Sequence, residues 1–415
     1  MHHKTAHPMI SFAEAKARLL DSIELVAREE ELPLHQALGR VLAAPIVAQA
    51  AVPNHANSAM DGYAVRTLDL SATTATTLRL VAELPAGSRL QSPLQPGEAV
   101  RIMTGAPIPV GSDCVVMQEQ VQRQGDRLTI PVGQQPGQHI RPAGEDIRPG
   151  QEVLPTGRRL GAADLGLLTS VGRVTVPLRR RLRVALLSTG NELLPTGTPL
   201  QAGQLYDSNR AALSAALTLL GAEVLDLGVA RDERTAIEAA LRRGSEEADA
   251  LITTGGVSVG DYDLVKEILE QNGQIHFWQV AMKPGKPQAY GRLGGAHFFG
   301  LPGNPVSSLT VYLLLVRPAL LKMMGAAPPV ERQFQASFAG EWHKRHPRRE
   351  FLRGVVHFTD REGGAGPSPW VEVTGAQGSG ILTSLAQANV FIILPEGPQQ
   401  VSDGMPVTVQ WIDYE

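Results

Sequence analysis

Cysteine is almost absent from this sequence, since Cys114 is the only one among 415 residues. One cysteine excludes a disulfide within the chain, and it excludes a cysteine-rich zinc or iron–sulfur site. Proteins of oxidising compartments commonly depend on disulfides, so the sequence predicts a reducing compartment, by default the cytosol.

Neither sign of charge dominates, and long hydrophobic runs are missing. The chain has 38 Lys and Arg against 41 Asp and Glu, a net charge of −3, which argues against general nucleic-acid binding. The most apolar stretch, "VYLLLV" from Val311, is interrupted by Arg317 and Pro318 well short of a membrane span. We therefore expect a soluble protein that binds neither nucleic acid nor membranes.

The length is too great for one hydrophobic core, and the apolar pattern changes along the chain, so we expect four domains. An amphipathic helix is predicted from Ser11 to about Leu38, with Ser11 as its cap and Glu14 completing a capping box. The predicted bounds are residues 10–45 and 147–178 for a helical domain I, 46–146 for an inserted β domain II, 179–328 for an α/β domain III, and 329–415 for a small C-terminal β domain IV, a barrel or sandwich.

Strands and helices alternate from Arg183 onward, which predicts a parallel sheet with right-handed crossovers. A long helix is predicted from Pro305 to about Met324, with Asn304 as its N-cap. Clusters of glycine, proline and charge follow the five predicted strands: "STGNE", "ARDE", "TTGGVSVGDYD", "KPGK" and "LPGNP". Because ligands of such sheets bind beyond the carboxyl ends of the strands, these clusters predict one site on one edge.

The loop "TTGGVSVGDYD" is neither a Walker A sequence nor a dinucleotide fingerprint. Its backbone N–H groups form a cradle for an oxyanion, unless the glycines only shape a turn. Asp261 and Asp263 would repel a bare polyanion, so a bridging Mg²⁺ is expected; Asp261 is alternatively a helix N-cap, which leaves Asp263 as the better ligand. The loop residues of interest are Gly255, Gly256, Ser258, Gly260, Asp261 and Asp263.

Two further loops carry groups that suit anions. "KPGKP" presents Lys283 and Lys286 on a chain stiffened by prolines, and these lysines either form an anion pocket or lie on a solvated face. "LPGNP" presents carbonyls and the start of the next helix, with Pro302 and Pro305 as lining or as purely structural residues.

The predicted β domain contributes polar residues that identify no reaction by themselves. Asp61 precedes a glycine in "NSAMDGYAV", and a turn aspartate usually only forms the turn. Thr104 precedes a glycine in "RIMTGAPIP". The segment "HIRPAGEDIRPG" groups four charges that mark an interface or a ligand contact: Arg141, Glu145, Asp146 and Arg148.

Eight motifs in order resemble the molybdopterin molybdotransferases, a family that includes the bacterial enzyme and the E domain of gephyrin. They are "NSAMDGYAV", "RIMTGAPIP", "RPAGEDI", "LSTGNELLPTGTPLQAGQLYDSN", "TTGGVSVGDYD", "MKPGKP", "LPGNPVSS" and "GSGILTSLAQANVFIILP", and the likeness spans Phe12 to the C-terminus. Two positions depart from the usual spelling, Glu233 and Asp261, and both keep the charge.

The resemblance implies an enzyme that inserts molybdenum from molybdate into adenylylated molybdopterin and releases AMP, with Mg²⁺ required. It implies an elongated homodimer whose cleft lies between the molybdopterin-binding-like α/β domain of one subunit and the β domain of the other. Asp61 and Thr104 would then face Glu192, Asp232 and Asp263 across the interface. The molybdopterin adenylyltransferase that supplies the substrate is an expected partner.

The resemblance also implies a set of site residues. The expected catalytic residues are Asp61, Thr104, Glu192, Asp232, Asp263, Lys283 and Lys286, of which Asp232 and Asp263 would hold the metal. The expected binding residues are Arg141, Asp146, Ser188, Gly190, Gly255, Gly256, Ser258, Gly260, Pro302, Gly303, Asn304, Pro305, Ser307 and Ser379.

Two other functions fit part of the sequence. The α/β region alone resembles molybdopterin adenylyltransferases and a nucleotide pyrophosphatase, which would hydrolyse without inserting metal, but "SAMDGYA" and "RIMTGAP" count against these. A scaffold like gephyrin would not need the acidic residues of the cleft, and they are present.

Overall fold

The computed structural model describes residues 9–26, 28–256, 264–328, 330–359 and 369–414. Ser258, Gly260, Asp261 and Asp263 therefore lie outside the described residues. Its helices are α1 (Phe12–Asp21), α2 (Ala162–Ser170), α3 (Ser208–Leu220), α4 (Arg234–Glu247), α5 (Leu264–Asn272), α6 (Pro305–Val311), α7 (Arg317–Met323) and α8 (Leu382–Ala386), with 3-10 turns at Leu34–Gln36, Thr67–Asp69 and Gln118–Gln120.

The strands are numbered in chain order. The first half of the chain contains β1 (Met9–Ile10), β2 (Glu29–Pro33), β3 (Ile46–Val47), β4 (Asn57–Ser58), β5 (Gly62–Val65), β6 (Thr76–Leu84), β7 (Glu98–Ile102), β8 (Cys114–Met117), β9 (Gln122–Gln124), β10 (Arg127–Ile130), β11 (Ile140–Arg141), β12 (Glu152–Leu154) and β13 (Thr175–Arg179). The second half contains β14 (Arg183–Thr189), β15 (Leu193–Leu194), β16 (Leu205–Tyr206), β17 (Glu223–Ala230), β18 (Ala250–Thr254), β19 (Gly273–Val280), β20 (Met282–Lys283), β21 (Pro287–Leu293), β22 (Ala296–Leu301), β23 (Gln333–Phe338), β24 (Trp342–Lys344), β25 (Arg349–His357), β26 (Trp370–Val373), β27 (Val390–Leu394), β28 (Gln399–Val401) and β29 (Pro406–Trp411).

The opening helix is shorter than the apolar spacing predicts. Ser11 caps it as expected, because its hydroxyl accepts the Glu14 amide at 3.1 Å. The helix ends at Asp21, however, and the prediction that it runs to Leu38 is wrong. The chain instead forms β2, which pairs antiparallel with β13. A hydrogen-bond ladder to a distant strand thus overrides the local helical spacing.

The start of the chain packs on the α/β unit. Strand β1 pairs in parallel with β19 at the edge of the large sheet. On α1, Phe12, Ala15 and Leu19 are buried in the same core as the long helix that begins at Pro305. The helix predicted for domain I therefore completes the α/β core.

The rest of the predicted domain I is largely not helical. Two ribbons, β2 with β13 and β3 with β12, surround α2. Their core includes Leu42, Ile46, Leu168 and Leu178. The helical character expected for residues 10–45 and 147–178 holds for α1 and α2 only. The exact domain bounds stay a prediction.

The intervening segment forms a mixed six-stranded sheet in the order β8-β5-β7-β6-β10-β9, flanked by the pair β4 and β11. Its core contains Tyr63, Val65, Val116 and Leu128. Cys114 is buried on β8, and burial raises the pKa of its thiol to about 11. The thiol is therefore protonated at neutral pH, and this segment is a β unit as the sequence predicts.

The α/β unit contains a seven-stranded sheet in the order β1-β19-β21-β22-β18-β14-β17. Strands β17, β14, β18 and β22 are parallel. Strand β21 is antiparallel to both β19 and β22, so β19 runs in the same direction as the parallel strands. All five strands predicted from the sequence consequently end at one edge of the sheet. The antiparallel strand β21 was not predicted.

A close backbone contact explains why β21 escapes a sequence pattern. Gly291 lies in its middle, and a Cβ atom added there would overlap the Gln274 carbonyl oxygen of β19. Only glycine permits this approach. A glycine inside a strand is typical of a close approach by another backbone, but the sequence does not show which strand approaches.

One helix dominates the core. Residues Pro305–Met323 form a continuous helix, made of α6, a π turn at Tyr312–Val316, and α7, close to the predicted extent. Its length and composition would allow it to cross a membrane, but 89% of its apolar window is buried inside the protein. That burial is characteristic of the core helix of a soluble protein.

The C-terminal unit is a closed five-stranded barrel. The sequence predicts a barrel or a sandwich, and the structure shows the barrel. Strands β25-β26-β23-β29-β27 follow one another, and β27 pairs again with β25. The short strand β20 adds to β25 in parallel and carries Lys283. The barrel therefore holds the "KPGK" loop of the α/β unit in place.

Candidate active site at the carboxyl edge of the α/β sheet

The ends of β14 and β18 form a buried floor for this edge. Ser188 and Thr254 are buried, and their hydroxyl oxygens lie 2.9 Å apart. Ser188, predicted to bind the substrate, therefore lies beneath the edge and bonds to a neighbouring strand. Gly190 follows on the same strand end, and its amide donates to the Ala230 carbonyl at 3.3 Å.

An acidic corner lies where β14 and β17 end. Asp232 and Asn191 exchange two hydrogen bonds, because each backbone N–H donates to the other side chain, at 3.3 and 3.1 Å. Asp232 and Glu192 are both exposed. Asp232 is thus fixed to Asn191, the chain neighbour of Glu192. Sequence reasoning missed Asn191, although it stands inside the quoted "STGNE".

Two glycines turn the chain at the end of β18. Gly255 and Gly256 have φ values of +84° and +67°, which side chains rarely adopt. The Gly255 amide donates to the Leu301 carbonyl at 3.2 Å. A Cβ atom on Gly255 would lie 3.0 Å from the Thr189 carbonyl. Gly255 therefore brings the β14, β18 and β22 loops into direct contact.

The "LPGNP" loop is held from two sides. Asn209 of α3 donates to the Gly303 carbonyl at 2.7 Å, and the Val306 amide donates to the Ser379 carbonyl at 3.1 Å. Pro305 opens the helix, and Asn304 occupies the N-cap position as predicted. Its side chain makes no capping hydrogen bond. The Asn304 amide is thus left to face the cleft.

An open cleft of about 530 Å³ lies between this loop, the "KPGK" loop and the barrel. The structure brings six of the predicted residues to its wall: Lys283, Lys286, Pro302, Asn304, Ser307 and Ser379. Four lining residues from the barrel unit were not predicted: Trp342, Arg348, Gln377 and Gly378. Gly378 opens the quoted motif "GSGILTSLAQANVFIILP". No local signal marks the other three, because only the docking of the barrel places them there.

Lys283 is anchored on the cleft wall. Its ammonium lies 2.8 Å from Oε1 of Glu350, whose side chain is 2% exposed. Trp342 Nε1 donates to Glu350 Oε2 at 3.2 Å. Burial raises the pKa of Glu350, but the hydrogen bonds from Lys283 and Trp342 outweigh it and keep the pKa below its ordinary value. The carboxylate is therefore ionised beside Lys283.

The loop that carries Ser379 is fixed by a buried arginine. Arg353 donates to the Gly378 carbonyl at 3.1 Å and to Ser384 Oγ at 3.0 Å. Gln377 Oε1 accepts the Arg353 amide at 2.8 Å. Burial lowers the pKa of Arg353 to about 10, so the guanidinium remains charged at neutral pH. A buried cation of the barrel thus sets the far wall of the cleft.

Asp61 and Thr104 form a pair on the β unit. The Thr104 amide and hydroxyl both donate to Asp61 Oδ1, at 2.7 and 2.8 Å. These bonds hold the pKa of Asp61 below its ordinary value. In the described part of the chain the pair bonds only within this unit. Arg141, on β11 opposite Asn57, and Asp146 are exposed in the same unit.

The donors near the acidic corner suit a hard cation. Over the described ranges, no three His, Cys, Asp or Glu side chains converge on one point. Asp263, the second predicted metal ligand, lies beyond those ranges. Asp232 and Glu192 supply the carboxylate oxygens that Mg²⁺ prefers, so this donor chemistry fits the predicted ion.

Comparisons with known families cover most of the chain. Residues 10–172 match the family described as the MoeA N-terminal region (domain I and II), residues 185–322 match the probable molybdopterin binding domain, and residues 335–412 match the MoeA C-terminal region (domain IV). The three matches follow the order of the structural units.

Individual relatives extend over nearly the whole length. The molybdopterin molybdenumtransferase of Haemophilus influenzae is 40% identical over 407 residues, covering 97% of this chain and 98% of the relative. That of a Nostoc species is 38% identical and covers 92% of this chain and 88% of the relative. A crystal structure of the molybdopterin biosynthesis moeA protein from Pyrococcus horikosii has a TM-score of 0.80 at 31% identity, covering 98% of this chain and 100% of that one. The chain belongs to the molybdopterin molybdenumtransferase family.

Proposed function

We propose that this protein inserts molybdenum from molybdate into adenylylated molybdopterin and releases AMP, as a late step of molybdenum cofactor biosynthesis. The observation that carries the proposal is the cleft, where Lys283, Lys286 and Arg348 surround an open space beside the edge of a sheet. It occurs in a chain similar to molybdenumtransferases over 97% of its length.

The cleft has the chemistry that a tetrahedral dianion requires. Molybdate offers only acceptor oxygens, and the cleft offers the cationic donors of two lysines and an arginine. Ser307 and Ser379 also line the cleft and add hydroxyl groups. Such a site neutralises a dianion and fixes its oxygens before the reaction.

The middle of the edge suits the adenylylated substrate. Gly255 and Gly256 turn the backbone where the β18 loop begins. Gly303 packs against this turn, since a Cβ atom added to Gly303 would lie 3.9 Å from the Cα atom of Gly255. The helix that starts at Pro305 directs its N-terminus here, which favours negative charge. Phosphate or pterin oxygens would therefore bind between the cleft and the acidic corner.

Asp232, with Glu192 and Asp263, would hold Mg²⁺ at the acidic corner. The ion, when bound, stabilises the negative charge of the phosphates as the phosphoanhydride breaks. Asn191 orients Asp232 through their two hydrogen bonds. A water or molybdate oxygen forms a bond to one phosphorus of the phosphoanhydride, and the bridging P–O bond between AMP and molybdopterin breaks. The displaced phosphate leaves with a negative charge that the lysines offset.

We further propose a homodimer with a shared cleft in the cytoplasm. Asp61 and Thr104 are exposed and bond to each other within the β unit. A paired carboxylate and hydroxyl on that surface acquire a purpose when they face the acidic corner of a second copy. The molybdopterin adenylyltransferase, whose product is the substrate, is the proposed partner enzyme.

The test is AMP release and molybdenum content of the product, with adenylylated molybdopterin and Mg²⁺, in the presence and absence of molybdate. Molybdate should accelerate AMP release, and the cofactor product should contain molybdenum. Equal rates of AMP release in both conditions, with no molybdenum in the product, would show a hydrolase instead.

A further inference from the structure

Glu350 is a buried acid directly behind the wall of the cleft. It lies on β25, is 2% exposed, forms an ion pair with Lys283 at 2.8 Å through Oε1, and accepts a hydrogen bond from Trp342 at 3.2 Å through Oε2. His346 Nε2 lies 3.3 Å from the same Oε1 atom. Glu350 itself is absent from the lining of the cleft, so it reaches any ligand only through its neighbours.

The backbone joins Lys283 to the same strand. Lys283 and Glu350 are partners in the parallel pairing of β20 with β25, and Arg348 donates to the Met282 carbonyl at 3.2 Å. Both the main chain and the side chain of Lys283 are therefore attached to the barrel. A lysine held in this way has little of the rotamer freedom that a surface lysine has.

The energetics favour a persistent contact. A buried carboxylate without a cation is costly, so Glu350 holds the ammonium in place before any anion arrives. The Lys283 side chain is 38% exposed, and an ammonium has three N–H donors. One donor serves Glu350, and two are left for the cleft. Lys286, by contrast, is exposed and has no ion pair within the described residues.

We propose that Glu350 is a positioning residue of the anion site, which fixes the Lys283 ammonium on the cleft wall so that two of its N–H donors meet the bound oxyanion. The inference rests on the proposed function, because molybdate is taken as that oxyanion. Glu350 contacts neither substrate and acts through Lys283 alone.

A charge-removing variant separates position from attraction. In Glu350→Gln the loss of a negative charge should lower the KM for molybdate, because the cleft becomes more positive. The loss of the contact that fixes Lys283 should raise the KM, because the ammonium is no longer held in position, so the two effects partly cancel. Only the loss of order affects the reaction step. We expect a KM within about threefold of wild type and a kcat lowered about tenfold. Glu350→Asp keeps the charge and should recover part of kcat.

A double-mutant cycle tests whether Glu350 acts through Lys283. In a Lys283→Ala background, adding Glu350→Gln should change kcat by less than about twofold, because the group it positions is gone. The proposal would be overturned if the double variant lost kcat by the product of the two single-variant factors, because the residues would then act independently. If Lys283→Ala is too unstable to assay, Lys283→Gln keeps a donor for the carboxylate and completes the same cycle.

The wild type, Glu350→Gln, Lys283→Ala and the double variant also give a measurement that needs no substrate, the melting temperature. Lys283→Ala leaves a buried carboxylate without its ammonium and should lower the melting temperature, and adding Glu350→Gln should restore part of the loss. Glu396→Gln is the matched control, since Glu396 pairs with Arg349 on the surface of the same barrel. It should match wild type in melting and in turnover.

The kinetic cycle and the melting temperatures together distinguish a failure of the proposed function from a failure of the role of Glu350. Coupled melting temperatures without molybdate-dependent AMP release by wild type would mean that the proposed function fails while the pair stands. Molybdate-dependent AMP release with multiplied kcat effects, or a normal kcat in a folded Glu350→Gln protein, would overturn the role of Glu350 and leave the function intact.

Discussion

Thr104 donates both its backbone amide and its hydroxyl group to one oxygen of Asp61, at 2.7 and 2.8 Å. The two bonds leave the second carboxylate oxygen of Asp61 on the exposed surface of the β unit. They also stabilise the charged form of the carboxyl group, which is why its pKa lies below the ordinary value. The residue that sequence patterns mark only as a turn former is thus an ionised carboxylate with one oxygen free to accept a hydrogen bond.

The Asp61–Thr104 pair predicts a shift in titration. Thr104→Ala removes the hydroxyl donor, so the pKa of Asp61 should rise toward its ordinary value, while Thr104→Ser should leave it low. Because the native pKa is depressed, the carboxylate stays ionised as the pH falls until that lower pKa is reached. Carboxyl NMR titration of the two variants measures the shift. The same midpoint in Thr104→Ala and wild type would contradict it.

A shared cleft predicts complementation between inactive variants. At a Mg²⁺ concentration well below that needed to saturate the wild type, Asp61→Asn and Asp232→Asn should each have little activity alone. In a mixed dimer one cleft carries both substitutions and the other carries neither, so a randomised mixture should recover about a quarter of wild-type activity. Activity is measured after mild unfolding and refolding of the mixture. A mixture that stays inactive while forming mixed dimers would place the whole site in one subunit.

The acidic corner predicts a change in metal requirement. Asp232→Asn should raise the Mg²⁺ concentration needed for half-maximal turnover by about tenfold or more. Asn191→Ala, which removes the side-chain acceptor of the Asp232 amide, should have a smaller effect in the same direction. Glu223→Gln is the control, because Glu223 pairs with Arg183 at the opposite end of β17. Identical Mg²⁺ titrations in all of these proteins would assign Asp232 a structural role.

We expect substitution of Lys286 to change the KM for molybdate, whereas substitution of Glu350 should change mainly kcat. The Lys286 ammonium is exposed at the cleft, so Lys286→Ala should raise the KM for molybdate about tenfold and leave the melting temperature unchanged. Lys266→Ala removes an equal charge from α5, where Lys266 faces Glu270, and should leave the KM unchanged. Equal KM values in the two variants would show that only net charge matters.

His297 predicts acid sensitivity of the fold. It is fully buried on β22, its Nδ1 lies 3.2 Å from the Tyr290 hydroxyl, and burial lowers its pKa from 6.5 to about 4. The unfolded chain therefore binds a proton as the pH falls below 6.5, and the folded protein does not until about 4. The free energy of unfolding should fall by roughly 3 kcal/mol across this range.

Denaturant unfolding at several pH values measures this effect. His297→Asn removes the titrating group and should flatten the pH dependence, whereas His343→Asn, at the exposed position of β24, should not. Parallel pH profiles for wild type and His297→Asn would contradict the assignment.

Local pattern was enough to predict several features. The alternation of strands and helices from Arg183 predicts the α/β unit, and the position of each cluster after a strand predicts the shared edge. Ser11 and Pro305 start their helices where expected. These features depend on helix capping, on apolar periodicity and on the order of strands and helices, all of which can be recognised in short stretches of sequence.

Other features needed the tertiary structure. The end of α1 at Asp21 is set by the pairing of β2 with β13, and the antiparallel β21 is set by its contact with β19. The barrel closes through a second pairing of β25. The end of α1 and the closure of the barrel depend on hydrogen bonds to strands far along the chain, and β21 depends on a close backbone contact with β19; local propensity encodes neither.

For the candidate site, the sequence determined which residues carry charge and which loops present them, including Lys283, Lys286 and Asp232. Only the tertiary structure decided that the barrel closes the cleft with Trp342 and Arg348. It also decided that a buried carboxylate stands behind Lys283. A charged side chain becomes fixed or free according to the burial and partners that folding gives it, and those partners come from separate units of the chain.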